Sequence, residues 1–210
     1  MEKGRAIFMR VGYAMSVTPK REERLRKVAA GRQARFILVL EDISDPHNAE
    51  AILRTCDAFG IHDVWLIFEK EERFNPRRVG KASSSSANKW LDFRIFKSAE
   101  KAREELVTLD YKLFATGLGK GSVNPYTHDL TAEKVAVMVG NEHRGLSQTL
   151  LEIADALLTI PMRGVVQSLN VSVAAALILS EITKQRLAKG MNISRNEEEK
   201  ARIFNDFKNR

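Results

Sequence analysis

The segment IPMRGVVQSLNVSVAAA, residues 160–176, decides the fold prediction. It begins where a predicted strand, 156–160, ends, and it passes through a Pro/Gly loop into a helix predicted over 170–187. Either Ser168 or Asn170 suits the cap of that helix, because both side chains accept hydrogen bonds from the free amides of a helix start. Such a loop favours a ligand held by backbone amides. An ordinary strand, loop and helix without a ligand is the alternative.

Four further short apolar runs predict strands. They cover 36–40, 64–68, 111–115 and 135–139. Predicted helices over 48–59, 98–109 and 148–154 alternate with these strands. The alternation predicts an α/β fold with a parallel sheet and helices on both faces. Loops at 116–119, 140–147 and 161–169 each follow a strand, so we expect them to meet at the carboxyl edge of the sheet, where ligands bind.

The amino-acid composition indicates which class of binding partner to expect. The 210 residues include 34 Lys and Arg against 27 Asp and Glu, a net charge of +7, and the pI is near 9.6. A globular chain this basic is typical of proteins that bind a polyanion, nucleic acid before membrane. Cys56 is the only cysteine, which fits a reducing cytoplasmic location. No apolar run reaches membrane-spanning length, and the four scattered histidines show no metal-binding pattern.

Three regions are predicted: a basic N-terminal helical arm at 1–34, a main domain at 35–188 and a C-terminal helical extension at 189–210. The arm helix is predicted to start at Thr18, ahead of a proline. Its cations are candidates for RNA phosphate contacts, with a merely solvated basic face as the alternative. They are Lys20, Arg21, Arg24 and Lys27.

Two segments outside the main pattern have local signals of their own. Ser194 and Glu197 have the spacing of a capping box, ahead of an amphipathic helix whose apolar face needs a partner. The serine run 83–86 follows a cationic stretch. It favours either a flexible linker or a loop that closes on a phosphate backbone.

Three motifs, in this order, resemble those of the SPOUT class of methyltransferases. They are NAEAILRTCDAFG at 48–60, VGNEHRGLS at 139–147, and IPM at 160–162 followed by QSLNVSVA at 167–174. Within that class, the DPHN loop at 45–48 and the basic arm are most similar to the TrmH family of tRNA 2'-O-methyltransferases, which act on guanosine 18. The resemblance implies a C-terminal trefoil knot, S-adenosyl-L-methionine as cofactor, tRNA as substrate and a homodimer.

Carried over position by position, the resemblance implies a catalytic set. It comprises Asn48, Arg54, Glu142, Ser168 and Asn170. In the family Arg54 would be the base, activated by an RNA phosphate; because a guanidinium stays protonated, a phosphate clamp is the safer role. Asn48 would orient the ribose or Arg54, Glu142 would anchor Arg54 or the RNA, and the other two would lie between cofactor and ribose. Simple helix caps at the two asparagines and a plain Glu142–Arg54 ion pair are the alternatives.

The resemblance also implies the cofactor site. Its residues are Thr116, Gly117, Leu118, Gly140, Asn141, Ile160, Met162, Ser168 and Leu169, and Arg163 would contact RNA phosphate. A side chain at Gly140 is expected to obstruct the cofactor more than it disturbs folding. Methyl transfer from a sulfonium needs alignment and no metal. The open alternatives are 2'-O-methylation of another tRNA position or of ribosomal RNA, and a non-catalytic RNA-binding protein.

Overall fold

The computed structural model describes residues 18–78 and 87–210, so the first residues of the arm and the serine run lie outside it. The strands are β1 (Phe36–Glu41), β2 (Asp63–Ile67), β3 (Asp92–Phe96), β4 (Lys112–Thr116), β5 (Val135–Val139) and β6 (Ala156–Leu158). The helices are α1 (Pro19–Ala30), α2 (Pro46–Ala58), α3 (Ala99–Thr108), α4 (Gln148–Leu151), α5 (Val171–Ala188) and α6 (Glu197–Lys208), with a 3-10 turn at Ala87–Trp90.

All strand pairs are parallel, in the order β3-β2-β1-β5-β4-β6. The predicted parallel α/β sheet is therefore confirmed. Strand β3 was not predicted, because it lies at the sheet edge and alternates polar with apolar residues. Helix α4 is shorter than predicted; its end turns back through Ala154 N–H donating to Leu151 O (3.2 Å).

Each face of the sheet carries a pair of helices. Helices α2 and α5 cover one face, where Ile52, Leu53 and Ile178 pack with no more than 1% of their surface exposed. Helices α3 and α4 cover the other face through residues such as Leu106 and Leu150. The central strands β1 and β5 are buried along their whole length, which explains why they read as continuous apolar runs.

Cys56 belongs to the core under α2. It is fully buried, and burial raises the pKa of its thiol far above the ordinary range. A thiol that stays protonated is a poor nucleophile. The residue is therefore structural, as its apolar neighbours on α2 indicate.

A third apolar cluster joins the two ends of the described chain. Leu25 and Ala29 of α1 pack against Ile203, Phe204 and Phe207 of α6. Buried arginines tie this pair to the main domain: Arg32 pairs with Asp57 of α2 (2.5 Å), and Arg195 pairs with Asp63 of β2. The C-terminal extension thus finds the partner for its apolar face within its own chain.

The predicted capping box was wrong by two residues. Asn196 caps α6, with its side chain accepting from Glu199 N–H (2.8 Å) while Glu199 accepts from Asn196 N–H (3.1 Å). Ser194 instead forms an antiparallel bridge with Gln33, which holds it in extended backbone ahead of the helix. In the described part of the chain, every helix is too short or too polar to span a bilayer.

The strand order places the candidate site. Strands β1 and β5 are neighbours at the centre, and the chain leaves them toward opposite sides of the sheet. The loops that follow these two strands therefore meet at a switch point, where open α/β sheets bind ligands. The loops after β4 and β6 lie beside them along the same edge.

Candidate active site

Three loops at the carboxyl edge of β4, β5 and β6 enclose a cavity of about 390 Å³. All nine residues predicted for cofactor binding line it: Thr116, Gly117, Leu118, Gly140, Asn141, Ile160, Met162, Ser168 and Leu169. Its size falls within the range of pockets that hold small ligands. The structure therefore brings the predicted set together in one place, although the identity of the ligand stays a prediction.

The walls of this cavity suit S-adenosyl-L-methionine. Within the described residues, the backbone at Leu118, Met162 and Leu169 makes no hydrogen bond to the protein, so its amides and carbonyls are free to meet a ligand. Apolar side chains from the same loops and from α5, including Ile160 and Ile178, offer cover for a flat ring. Backbone donors and acceptors beside apolar walls fit an adenosine group.

Gly140 acts differently from what the sequence predicted. A Cβ atom there would collide with the backbone of Gly145 and Leu146, within the same loop. This loop closes on itself through Asn141 N–H donating to Gly145 O (3.1 Å) and Gly145 N–H donating to Asn141 O (2.9 Å). A side chain at Gly140 would therefore distort the loop itself, so we expect it to lower folding stability as well as cofactor binding.

A chain of hydrogen bonds crosses the switch point beside the cavity. The Glu142 carboxylate accepts from Ser44 N–H (3.0 Å), Ser44 Oγ (2.7 Å), Asp45 N–H (3.2 Å) and Asn48 Nδ2 (2.9 Å). Asn48 Oδ1 then accepts from Asn170 Nδ2 (3.0 Å). Asn170 Oδ1 caps α5 by accepting from Ser172 N–H (2.8 Å). Three of the five predicted catalytic residues are thus directly linked.

The two groups at the ends of this series of hydrogen bonds determine which atom donates and which accepts in each bond. Glu142 as a carboxylate only accepts, so Asn48 must present its amide NH₂ to it and its oxygen to Asn170. At the other end the Ser172 N–H only donates, so Asn170 presents its oxygen there. Both asparagines are therefore locked in one orientation. Asn170, not Ser168, is the helix cap.

Glu142 carries a stable negative charge. Partial burial raises the pKa of its carboxyl, but hydrogen bonds from Asn48 and Ser44 more than offset this and lower it to about 2. Among the described residues the Glu142 carboxylate accepts from Ser44, Asp45 and Asn48, and no ion pair joins it to Arg54. The alternative of a plain Glu142–Arg54 ion pair is therefore wrong, whereas an anchoring role of Glu142 toward the RNA stays a prediction.

Arg54 lies on α2, exposed, six residues after Asn48. Among residues 18–78 and 87–210 no carboxylate pairs with it. Its neighbours Ile52, Leu53 and Cys56 face the core, which turns Arg54 toward solvent on the helix that also carries Asn48. An unpaired guanidinium there is free to meet an anionic ligand.

The remaining predicted residues fall into two places. Ser168 lines the cavity, and Arg163 is exposed on the loop after β6. The arm cations are exposed on α1, which packs at the amino edge of the sheet, away from the cavity. These cations are Lys20, Arg21, Arg24 and Lys27. Within one chain, the structure does not bring these four cations to the site.

Sequence reasoning missed the support behind the second loop. The Asn141 side chain donates to Asp42 O (2.7 Å) and accepts from His143 N–H (2.9 Å) and Arg144 N–H (3.0 Å). Arg144 pairs with Glu71 (2.7 Å). It also missed Ser44, which gives two donors to Glu142. The signal for Ser44 was present, since a serine beside Asp45 in a loop after a buried strand commonly bonds neighbouring groups.

No group of three or more His, Cys, Asp or Glu side chains suited to a metal ion occurs in the two described stretches.

The chain is similar in sequence to known RNA methyltransferases. Residues 35–180 match the model of the SpoU rRNA Methylase family. A tRNA (guanosine(18)-2'-O)-methyltransferase of Aquifex aeolicus is 38% identical over 175 residues, covering 83% of this chain and 81% of the relative.

Two solved structures are similar as well. The crystal structure of the A. aeolicus TrmH/SpoU tRNA modifying enzyme has a TM-score of 0.81 and 34% identity, covering 90% of this chain and 95% of that one. An AdoMet-bound rRNA methyltransferase from Sinorhizobium meliloti has a TM-score of 0.62 and 26% identity, covering 76% of this chain and 59% of that one. From the matched residues and the shared fold together, the chain belongs to the SpoU methylase family.

Proposed function

We propose that this protein is a tRNA (guanosine-18-2'-O)-methyltransferase that uses S-adenosyl-L-methionine. The proposal rests on the position of the cavity next to the hydrogen-bonded polar residues. The cavity of the three loops borders the hydrogen-bonded chain from Glu142 through Asn48 to Asn170, and an unpaired Arg54 lies on the same helix as Asn48. Relatives that are 38%, 33% and 36% identical bear the name of this activity.

The cofactor supplies an activated methyl group, and the protein must align a ribose hydroxyl with it. A 2'-OH is a weak nucleophile, so alignment and relief of its proton account for most of the catalysis. Arg54 binds the adjacent phosphate with its planar guanidinium. Asn48 and Asn170, held in one orientation by Glu142 and the α5 amide, position the ribose. Ser168 lies at the cavity wall between the two ligands.

The proposal extends to the architecture around the site. Residues 35–188 form the methyltransferase domain, with 1–34 and 189–210 as helical extensions, and the loop after β6 completes a trefoil knot. The enzyme is a homodimer. Large apolar residues near the cavity support this, since Val165 is 102% exposed, Val166 64% and Leu118 59%. A tRNA substrate and a single buried thiol are consistent with a cytoplasmic location.

The test is transfer of a radiolabelled methyl group to unmodified tRNA, followed by mapping of the modified nucleotide. We expect one label per tRNA, at the ribose of guanosine 18. A tRNA with deoxyguanosine at position 18 is the matched control, because it lacks only the accepting hydroxyl. Label in that control would contradict 2'-O transfer.

Other outcomes identify the alternatives. Label at a different tRNA ribose, or in ribosomal RNA supplied alongside, would replace the substrate but keep the reaction. Tight RNA binding without any transfer, in protein that binds the cofactor, would support a non-catalytic RNA-binding protein.

A further inference from the structure

A second cavity, of about 370 Å³, lies between the segment that follows β2 and one face of β3. Arg73, Phe74, Asn75, Pro76, Arg77, Phe93 and Ile95 line it. It is separate from the cofactor cavity, which lies beyond β1 on the far side of the sheet centre. No step of the proposed reaction uses it.

The walls of this cavity are held in place by the fold. Phe74 packs edge-on against Phe68, with ring centroids 4.9 Å apart. Asn75 Oδ1 accepts from Arg77 N–H (3.0 Å), and the buried Asn88 donates to Pro76 O (2.9 Å). The Asn75 turn is therefore anchored at both ends.

The chemistry of the walls is cationic and aromatic. The Arg77 guanidinium lies 5.4 Å from the centroid of the Phe93 ring. Within the described residues, neither Arg73 nor Arg77 pairs with a carboxylate, whereas Arg94 and Arg103 on the opposite face both do. Phe93 is half-buried, and the part of its ring that lines the cavity stays accessible. Arginine beside an accessible aromatic ring is a combination that binds a single-stranded nucleotide, because the ring stacks a base and the cation holds its phosphate.

The position of the cavity fits an RNA that reaches the active site. Phe93 and Ile95 face the side of the sheet that α2 covers, and α2 carries Arg54 and Asn48. Strand β3 lies three strand spacings from β5, roughly 14 Å across the sheet. A nucleotide bound there would be a neighbour of the target, not the target itself.

We propose that this second cavity binds an unstacked nucleotide of the RNA substrate, with its base against Phe93 and its phosphate on Arg73 and Arg77. The inference rests on the proposed function in one respect only, that the ligand is RNA.

Two variants test the two halves of the proposal. Arg73→Ala with Arg77→Ala removes the cations; Lys97→Ala with Lys101→Ala is the charge-matched control, on exposed residues of the α3 side. Phe93→Leu removes the ring but keeps apolar volume. Each is measured for tRNA affinity across a series of salt concentrations, and for S-adenosyl-L-methionine affinity as a check of the folded site.

We expect the double arginine variant to reduce the slope of log affinity against log salt by up to about two, more than the lysine control does. Phe93→Leu should weaken tRNA binding on the order of tenfold with an unchanged slope, because stacking is independent of salt. Cofactor affinity should stay at the wild-type value in all variants. A double arginine variant that matches its control, or a Phe93→Leu protein with wild-type tRNA affinity, would overturn the proposal.

Methylation by the wild type is scored separately. Methyl transfer to guanosine 18 together with variant affinities equal to those of the controls contradicts the nucleotide site alone. Affinity that depends on Phe93, without methyl transfer, contradicts the proposed reaction alone.

Discussion

At the scale of single residues, Arg54 is notable because its guanidinium has no ion-pair partner among the described residues. It projects from the outer side of α2, and no described carboxylate neutralises it. Exposed residues without partners contribute little to folding, typically within about 0.5 kcal/mol. A strong effect of this residue on turnover would therefore have to come from contact with the substrate.

Arg54→Ala should fold, bind S-adenosyl-L-methionine normally, and lose methyl transfer by a factor on the order of a hundred, as when a positioning group is removed. Arg54→Lys should restore little, because a point charge does not reproduce the planar fork. Single-turnover rates, corrected for folded fraction, give the comparison, with the exposed Arg202→Ala of α6 as control. Near-wild-type rates in Arg54→Ala would remove the residue from the mechanism.

Glu142 allows a prediction about pH. Its pKa is 4.5 in the unfolded reference and about 2 in the fold. A depressed pKa stabilises the fold fully above the unfolded value, and this contribution is lost as pH falls from about 4.5 through 2. Glu142→Gln should cost about 1 kcal/mol at pH 7, because in either orientation its new NH₂ must face a backbone N–H, that of Ser44 or that of Asp45, which only donates.

The difference in unfolding free energy between wild type and Glu142→Gln should shrink as pH falls through that window. Urea titrations at several pH values measure it. Glu152→Gln, which changes an exposed carboxylate paired with Arg103 (3.4 Å), should show little difference at any pH. A Glu142→Gln difference that stays constant down to pH 2 would refute the assigned charge.

At the scale of elements, the parts that the sequence predicts are those with strong local signals. Buried strands such as β1 read as apolar runs, and Thr18 before Pro19 marks the start of α1, where Thr18 Oγ1 accepts from Arg21 N–H (3.4 Å). Strand β3 was not predicted, because an edge strand needs only one apolar side and so shows no continuous apolar run. The alternation of Phe93 and Ile95 with polar neighbours was the signal to use.

The site divides in the same way. The cavity is formed by loops that follow parallel strands, so the residues that line it could be predicted from the sequence. The hydrogen-bond partners of Glu142 could not be predicted from the sequence. Several donors could reach this carboxylate, and only the packing of β1 beside β5 decides which of them do. The clash behind Gly140 was equally hidden, since it involves backbone five residues ahead.

We expect helix α1 to contribute to RNA binding through its exposed cations, whatever the RNA sequence. Leu25 and Ala29 bury one side, so replacing the exposed cations on the other side should leave the fold intact. Changing Lys20, Arg21, Arg24 and Lys27 to Ala together should lower the salt slope of tRNA affinity by up to about one per lost phosphate contact. Cofactor affinity should not change. An unchanged slope would mean that this helix is only a solvated face.

At the scale of the whole molecule, one side of α5 is unusually apolar for a surface. Val173 is 47% exposed and Leu177 38%, one turn apart, and Val165 in the preceding loop is exposed as well. A self-complementary apolar surface of this kind is what a two-fold dimer buries. Helix α1 and the cavity lie at opposite edges of one sheet, so a second copy would also change which α1 helix is nearest to a given site.

Light scattering should therefore give about twice 23.7 kDa at micromolar concentration. Val173→Lys with Leu177→Lys should shift the protein toward monomer, because two charges would have to be buried. Val107→Lys, on the exposed end of α3, is the control. A wild-type monomer at these concentrations would exclude the dimer.

The packing of α1 on α6 has a consequence for local opening. Each helix covers the apolar side of the other, Leu25 and Ala29 against Phe204 and Phe207, so neither can detach without exposing its partner. The amides of both helices should exchange with deuterium at one shared opening free energy, below that of the central strands. A tRNA bound to the cations of α1 would slow exchange in α6 as well, although α1 ends at Ala30 and α6 begins only at Glu197.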